Sequence, residues 1–175
     1  MVTVEIWDAY DENENLLGID LVRGQPIPPG MYHQVVSVLV KHVDGEYLLT
    51  KRCLTKTGRP GYWEPSCGGS ALKGDTPEMA AMREVEEETG LIVKNPVLID
   101  KRRRADDETS GYFHYYYVAE TGCDKTTVKL LEGETIDYKW VDEQGLIDML
   151  DSGTVIPFQV ECLAEYVEKL KDGVL

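Results

Sequence analysis

The sequence predicts an α/β fold, a mixed β-sheet with helices on both sides, in a single domain spanning residues 1–175. Three observations carry that expectation. Strand-like runs rich in β-branched and aromatic residues fill both halves of the chain, one well-marked helix interrupts them, and two more helical segments follow. A chain of 175 residues can bury one sizeable core but not two comfortable ones. No internal repeat, low-complexity segment or linker divides it.

In chain order, "VEIWDAY" and "LLGIDLV" read as the arms of an N-terminal hairpin, with the polar "DENEN" as its turn. "RGQPIPPG" (23–30) holds three prolines and two glycines and reads as a connector. "YHQVVSVLVKH" is β-branched and nearly continuous, as a strand buried on both faces should be. "VDG" turns it into "EYLLTKR". The stretch "LTKTGRPGYWEPSCGGSALKGD" then reads as a loop leading to a helix. That helix has Asp75 or Thr76 as N-cap, Pro77 early, and Glu78 completing a capping box on Asp75. Met79, Ala80, Met82 and Val85 form its expected apolar stripe, and Gly90 its stop. "LIVKNPVLIDKRRR", "GYFHYYYVAE" and "YKWVD" read as three strands. Helices at about 142–151 and from Phe158 to Lys171 close the chain.

The charge narrows the function. A formal net charge of −14 repels nucleic acid and anionic membranes, and also a phosphorylated small molecule unless a cation mediates the contact. No 18-residue apolar run and no signal-peptide pattern are present, which points to a cytoplasmic protein. Cys53, Cys67, Cys123 and Cys162 show neither a C-x-x-C pair nor zinc-like spacing with the histidines, and read as scattered thiols in a reducing compartment.

Five glutamates fall between Glu78 and Glu88, a costly concentration of like charge on one helix. Glu84, Glu87 and Glu88 stand at i, i+3 and i+4, so they share one face. Three converging carboxylates are hard oxygen ligands suited to Mg2+ or Mn2+. Arg83, four residues before Glu87, can hold a carboxylate in place. The alternative is a solvated acidic face.

The surrounding spacing favours the metal. From Gly69 the segment reads G-x5-D-x7-R-E-V-x-E-E-x-G-L, within residues 68–91. It resembles the Nudix box, with Asp75 standing where that family has glutamate. The "GYWEPSCGG" approach and the "YKWV" strand are similar too. The resemblance implies a Nudix-type α/β/α sandwich and Mg2+-dependent hydrolysis of a nucleoside diphosphate derivative, by water attack at phosphorus. It implies Glu84, Glu87 and Glu88 as metal ligands, Arg83 as their orienting partner, and Gly69 giving backbone to the metal shell. A further carboxylate usually joins from outside the box. Glu134 is the first choice for it, Glu132 the second and Asp137 the third. The substrate would be a small diphosphate, its identity unread, and homodimers are common in this family.

A second resemblance runs through "WDAYDENENLLG", "GMYHQVVSVLV" and the tryptophan loop, and is to the isopentenyl diphosphate isomerase branch. Cys67 matches its catalytic cysteine and His33 one of its metal-binding histidines. Gly69 stands where those isomerases have a histidine, and "YFHYYYV" lacks their glutamate. Isomerising a double bond needs an acid and a base on opposite faces, and Cys67 alone is half of that. Cys67 is therefore expected to be a small loop residue and His33 a structural histidine. An isomerase using Cys67 is the alternative. Two further features stay open: "KRRR" (101–104) is either a phosphate hold or a strand end paired with "DDE", and about half of the "YFHYYY" rings should be packing. Trp63, Phe158 and Tyr62 are weaker candidates for stacking a base.

Overall fold

The computed structural model describes residues 4–105 and 111–175. Among them, a nine-stranded mixed sheet carries three helices. The N-terminal arms pair antiparallel as β1 (Ile6–Tyr10) and β2 (Leu16–Val22). Asp11 builds their turn, its carboxylate accepting the backbone N–H groups of Asn13 and Asn15 at 2.8 Å. At the tip, the Glu14 carboxylate accepts from Gln34 at 3.1 Å and also from Lys101 and Tyr115, tying the hairpin to the sheet.

β3 (Tyr32–His42) is the axis of the sheet. It pairs with β1, with β4 (Tyr47–Arg52), with β6 (Cys67–Ser70) and, in parallel, with β8 (Gly111–Thr121). Its alternation builds two cores. Val36, Val38 and Val40 face α1 (Pro77–Thr89), together with Phe113, Tyr115 and Tyr117. Leu39 on the other face packs with Tyr47, Leu49 and Tyr116 against α2 (Glu143–Asp151) and α3 (Pro157–Lys171). Fully burying each such Leu or Val contributes about 1.5–3 kcal/mol. The expected strand buried on both faces is thus the observed one, and the architecture is the α/β/α sandwich. β7 (Lys94–Ala105) pairs with β8, and β9 (Thr135–Val141) with β4.

Four local expectations are corrected. The stretch between β4 and α1 is not all loop, because β5 (Trp63–Glu64) and β6 lie within it, and β6 pairs with β3 from Val35↔Ser70 to Val38↔Cys67. Glycine-rich "CGGS" carries no β-propensity signal, so its neighbours alone make it a strand. Cys67 is accordingly a fully buried strand residue. At the start of α1, Thr76 is the N-cap, accepting from Met79 N at 3.2 Å, while the Asp75 carboxylate bonds Leu72 N and Arg83. Glu78 makes no box with Asp75 and accepts the Tyr117 hydroxyl instead. The buried stripe of α1 is Ala80, Ala81, Val85 and Thr89, with Met79 and Met82 exposed, because β6 presses close and admits only small side chains.

In the aromatic run, Phe113, His114, Tyr115, Tyr116 and Tyr117 are all buried and Tyr112 alone is not, so packing takes more than half of it. "KRRR" lies within β7. Arg102 pairs with Asp100 at 2.9 Å and Arg104 covers the Phe158 ring at 4.0 Å, while the anticipated "DDE" partners fall outside the described residues. No helix among the described residues is long and apolar enough to cross a membrane. The four cysteines are free.

Candidate active site

α1 carries the acidic face, and its two ends are set locally. Pro77 fits the first turn, and Gly90 closes the last one at φ 71°, a left-handed conformation that glycine adopts without a Cβ clash. Between them, Arg83 gathers the face. Its guanidinium bonds Glu84 Oε1 at 2.8 Å, Glu87 Oε2 at 3.1 Å, Asp75 Oδ2 at 3.2 Å and the Ser70 carbonyl at 3.0 Å. One fork therefore fixes two of the expected ligands, and through Asp75 and Ser70 it fixes the β6–α1 junction. The aspartate at the family's glutamate position thus reaches Arg83.

The structure brings Glu84, Glu87, Glu88, Gly69 and Glu134 to one cavity of about 380 Å3. Glu84 lies deep, with 12 % of its side chain exposed, and Glu87 at the mouth, with 54 %. Gly69 forms the floor. A Cβ there would overlap the Glu84 carboxylate, so any larger residue displaces that carboxylate from its present position. Glu134 arrives from the turn before β9 and is salt-bridged to Lys56. Glu132 and Asp137 are exposed and do not line this cavity.

Electrostatics favour a cation here. Burial pushes the Glu88 carboxyl up to about 9, and the neighbouring charges of Glu64, Glu84 and Glu134 add to it. Glu84 is also raised by burial, against the opposing pull of Arg83. A group of crowded, half-buried carboxylates is unfavourable alone and becomes favourable around a divalent ion. The donors are all oxygens, as Mg2+ or Mn2+ requires, and the residues present fit such an ion.

Several residues of this site were not legible beforehand. Glu5, Trp7 and Arg23 line the cavity from the N-terminal hairpin and its exit, and Lys56 lines it from the β4–β5 loop. Glu64, 7 % exposed and paired with Arg52 at 3.3 Å, sits behind Glu88 and supplies the largest charge effect on it. An acid placed directly after Trp63 in an otherwise apolar approach was the available signal for Glu64. The others are gathered by tertiary contacts alone.

Cys67 and His33 lie apart from catalysis-ready surroundings. Cys67 is fully buried, and burial with the charges of Glu88, Glu64 and Glu84 drives its thiol well above the ordinary range. His33 is 6 % exposed and stacks on Trp7 at 4.2 Å with its Nδ1 unpartnered.

Comparison with known proteins bears on the family and the fold. Residues 31–159 match the NUDIX domain family model. An uncharacterized Nudix hydrolase of Listeria monocytogenes is 34 % identical over 155 residues, covering 89 % of this chain and 90 % of that protein. An isopentenyl-diphosphate Delta-isomerase of Streptomyces avermitilis is 36 % identical over 84 residues, covering 48 % of this chain and 43 % of that protein. Among solved structures, a MutT protein from Methanosarcina mazei superposes with a TM-score of 0.61 at 23 % identity, covering 84 % of this chain and 99 % of that one. A Deinococcus radiodurans protein gives 0.65 at 18 % identity, covering 86 % and 91 %.

Proposed function

This chain belongs to the Nudix family, whose hydrolases act on small phosphorus anhydrides, and from that premise we propose that it cleaves the diphosphate linkage of a nucleoside diphosphate derivative with a divalent ion, Mg2+ or Mn2+. The observation that carries this reading is the meeting of Glu84, Glu87, Glu88 and Glu134 above Gly69 in one cavity that also holds Lys56. In this reading Glu84, Glu87, Glu88 and Glu134 hold the ion, with the backbone of Gly69. When bound, the ion offsets phosphate charge and lowers the pKa of water in its shell.

The chain's own groups do the rest. Arg83 keeps Glu84 and Glu87 oriented before any ligand arrives. Glu134 is the carboxylate assigned to receive the proton of the attacking water. Lys56, its present partner, then becomes free to meet a phosphate oxygen, and Arg23 on the hairpin wall faces the same space. Both charges counter the repulsion that a chain of net charge −14 exerts on an anionic substrate. The same reading takes residues 1–175 as one domain whose hairpin is a wall of the site. It places the protein in the cytoplasm, as a monomer or homodimer, without a nucleic-acid or membrane partner.

Phosphorus NMR of the protein with Mg2+ tests it, using ADP-ribose, a dinucleotide polyphosphate, a sugar nucleotide, a nucleoside diphosphate and isopentenyl diphosphate. New phosphomonoester or orthophosphate signals, carrying label from 18O water, are the expected result. Unchanged phosphorus spectra with every compound overturn it. The partial likeness to isomerases supports a second reading, which Cys67→Ala separates. An isomerase loses all turnover in that variant. A hydrolase is expected to keep kcat/KM within a few-fold, because the buried thiol touches no substrate in this scheme. Gly69→Ala is expected to lower kcat/KM at least ~10–100-fold by displacing Glu84. An unchanged rate would remove Gly69 and Glu84 from the site.

A further inference from the structure

On the other face of the sheet, under α3, three side chains of a different chemistry meet. Asp100 on β7, His114 on β8 and Cys162 on α3 each offer one donor atom, and the three atoms lie within 4.8 Å of one another. Three separate elements supply them, so their spacing is fixed by the fold. Arg102 and His114 are register partners across β7 and β8, as are Asp100 and Tyr116. α3 is held on that surface by Cys162, Leu163 and Tyr166 in the second core.

His114 supplies a second, independent observation. The residue is 2 % exposed, its Nε2 lies 2.9 Å from Ser37 Oγ, and its Nδ1 is buried with no hydrogen-bond partner. A buried polar atom left unpaired costs on the order of 1–3 kcal/mol, so such atoms normally have a partner. In the tautomer where Nε2–H donates to Ser37 Oγ, the Nδ1 lone pair is free for a cation, the arrangement in which an outer residue orients a ligating histidine. Cys162 is equally buried, at 2 % exposed, forms no disulfide, and its thiol is hydrogen-bonded to the Asp100 carboxylate, so a bound ion would replace that proton.

We propose that Asp100, His114 and Cys162 form a second cation site, selective for a borderline-soft divalent ion of the Zn2+ type, which pins α3 to β7 and β8. One nitrogen, one sulfur and one oxygen suit such an ion, with a fourth position left for water. Mg2+ prefers oxygen donors alone, so the two sites select different metals. The neighbouring charges are compatible. Arg102 donates Nε to both Asp100 oxygens, at 2.9 and 3.0 Å, which orients the carboxylate while leaving each oxygen a further lone pair. Arg102 is itself 3.9 Å from the Glu161 carboxylate, and Arg104 is spread over the Phe158 ring. Coordination through the thiolate releases one proton, so a divalent ion adds a single net positive charge to the surroundings.

His114 also lines a cavity of about 280 Å3 shared with Gly68, Gly69, Tyr112 and Phe158. Fixing α3 would therefore fix a wall next to the glycine strand of the candidate active site. The proposal does not depend on what that site hydrolyses.

Co2+ is the probe, added to the full-length protein in excess Mg2+ so that the glutamate cavity holds the hard ion. A thiolate-to-cobalt charge-transfer band in the near ultraviolet, saturating at about one ion per chain, is expected. Cys162→Ser should abolish the band, and Cys67→Ala should retain it. Asp100→Asn, which keeps the shape of a side chain only 18 % exposed, should weaken Co2+ binding ~10–100-fold while the circular dichroism spectrum stays that of wild type. A wild-type protein without the band overturns the site. So does a band that survives Cys162→Ser, or an Asp100→Asn variant with wild-type affinity.

Discussion

Glu88→Gln is expected to abolish turnover, by ~100-fold or more, while making the metal-free protein more stable. Both effects come from one cause. Glu88 sits among Glu64, Glu84 and Glu134 in a half-buried cavity, where burial first, and then their charges, oppose its ionisation. Glutamine has nearly the same shape and can hydrogen-bond, yet it is neutral from the start and so removes the cost of holding this carboxyl protonated in the metal-free fold. Relief of such functional-site strain commonly adds about 0.5–2 kcal/mol to folding stability. An amide is a poor ligand for a hard divalent ion, so the site would lose its charge match together with its strain. The two readouts are thermal unfolding in chelator and hydrolysis in Mg2+. In wild type, Mg2+ should raise the melting temperature, and in Glu88→Gln this gain should shrink. Equal stability with near-wild-type turnover would show that the acidic face is ordinary solvated surface. Loss of both stability and turnover would make Glu88 a structural residue, and the assignment of the cavity would fail with it.

The parts of this molecule that were legible beforehand are those governed by short-range rules. Gly90 ends α1 as its sequence suggests, because a left-handed residue is a local requirement. The two-face burial of β3 is written in its continuous β-branched run. Glu84, Glu87 and Glu88 share a face by helix period alone, and Glu134, chosen for its distance to Trp140 in sequence, lines the same cavity. Errors begin where a distant partner outbids a local one. The capping box expected between Asp75 and Glu78 does not form, because Arg83, eight residues on, takes the Asp75 carboxylate, and Thr76, the other N-cap candidate, caps the helix. Met79 and Met82 have the right period for a buried stripe. The close approach of β6 shifts the buried stripe round to Ala81 and Thr89. β6 itself has no sequence signature, since its two glycines are there for what they omit: a Cβ at Gly68 would meet Val36 backbone, and one at Gly69 the Glu84 carboxylate. Arg23 and Lys56 lie far apart in sequence, and a cavity wall made by the hairpin and the β4–β5 loop cannot be read from either segment.

Acid sensitivity is the second large effect expected, and it follows from His33. Burial depresses this imidazole from 6.5 to about 4, and no acid partner offsets it. A histidine with a lowered folded pKa is bound neutral, so the unfolded chain takes up a proton first as pH falls. Its contribution to stability is therefore intact above pH 6.5, is lost progressively below that, and is fully lost near pH 4. At pH 4.5 the loss amounts to about 2–3 kcal/mol, a large share of the 5–15 kcal/mol typical of a folded domain. His33→Phe isolates the effect, because phenylalanine keeps the stack on Trp7 and removes the buried Nδ1 that has no partner. Urea unfolding at pH 7.5 and 4.5 is the measurement. Wild type should lose about 2–3 kcal/mol more than His33→Phe between the two values. His114, likewise depressed by burial to about 4, should add a similar loss in both proteins, so the difference between them reports His33 alone. If the two proteins lose stability in parallel, the imidazole protonates within the fold at no cost.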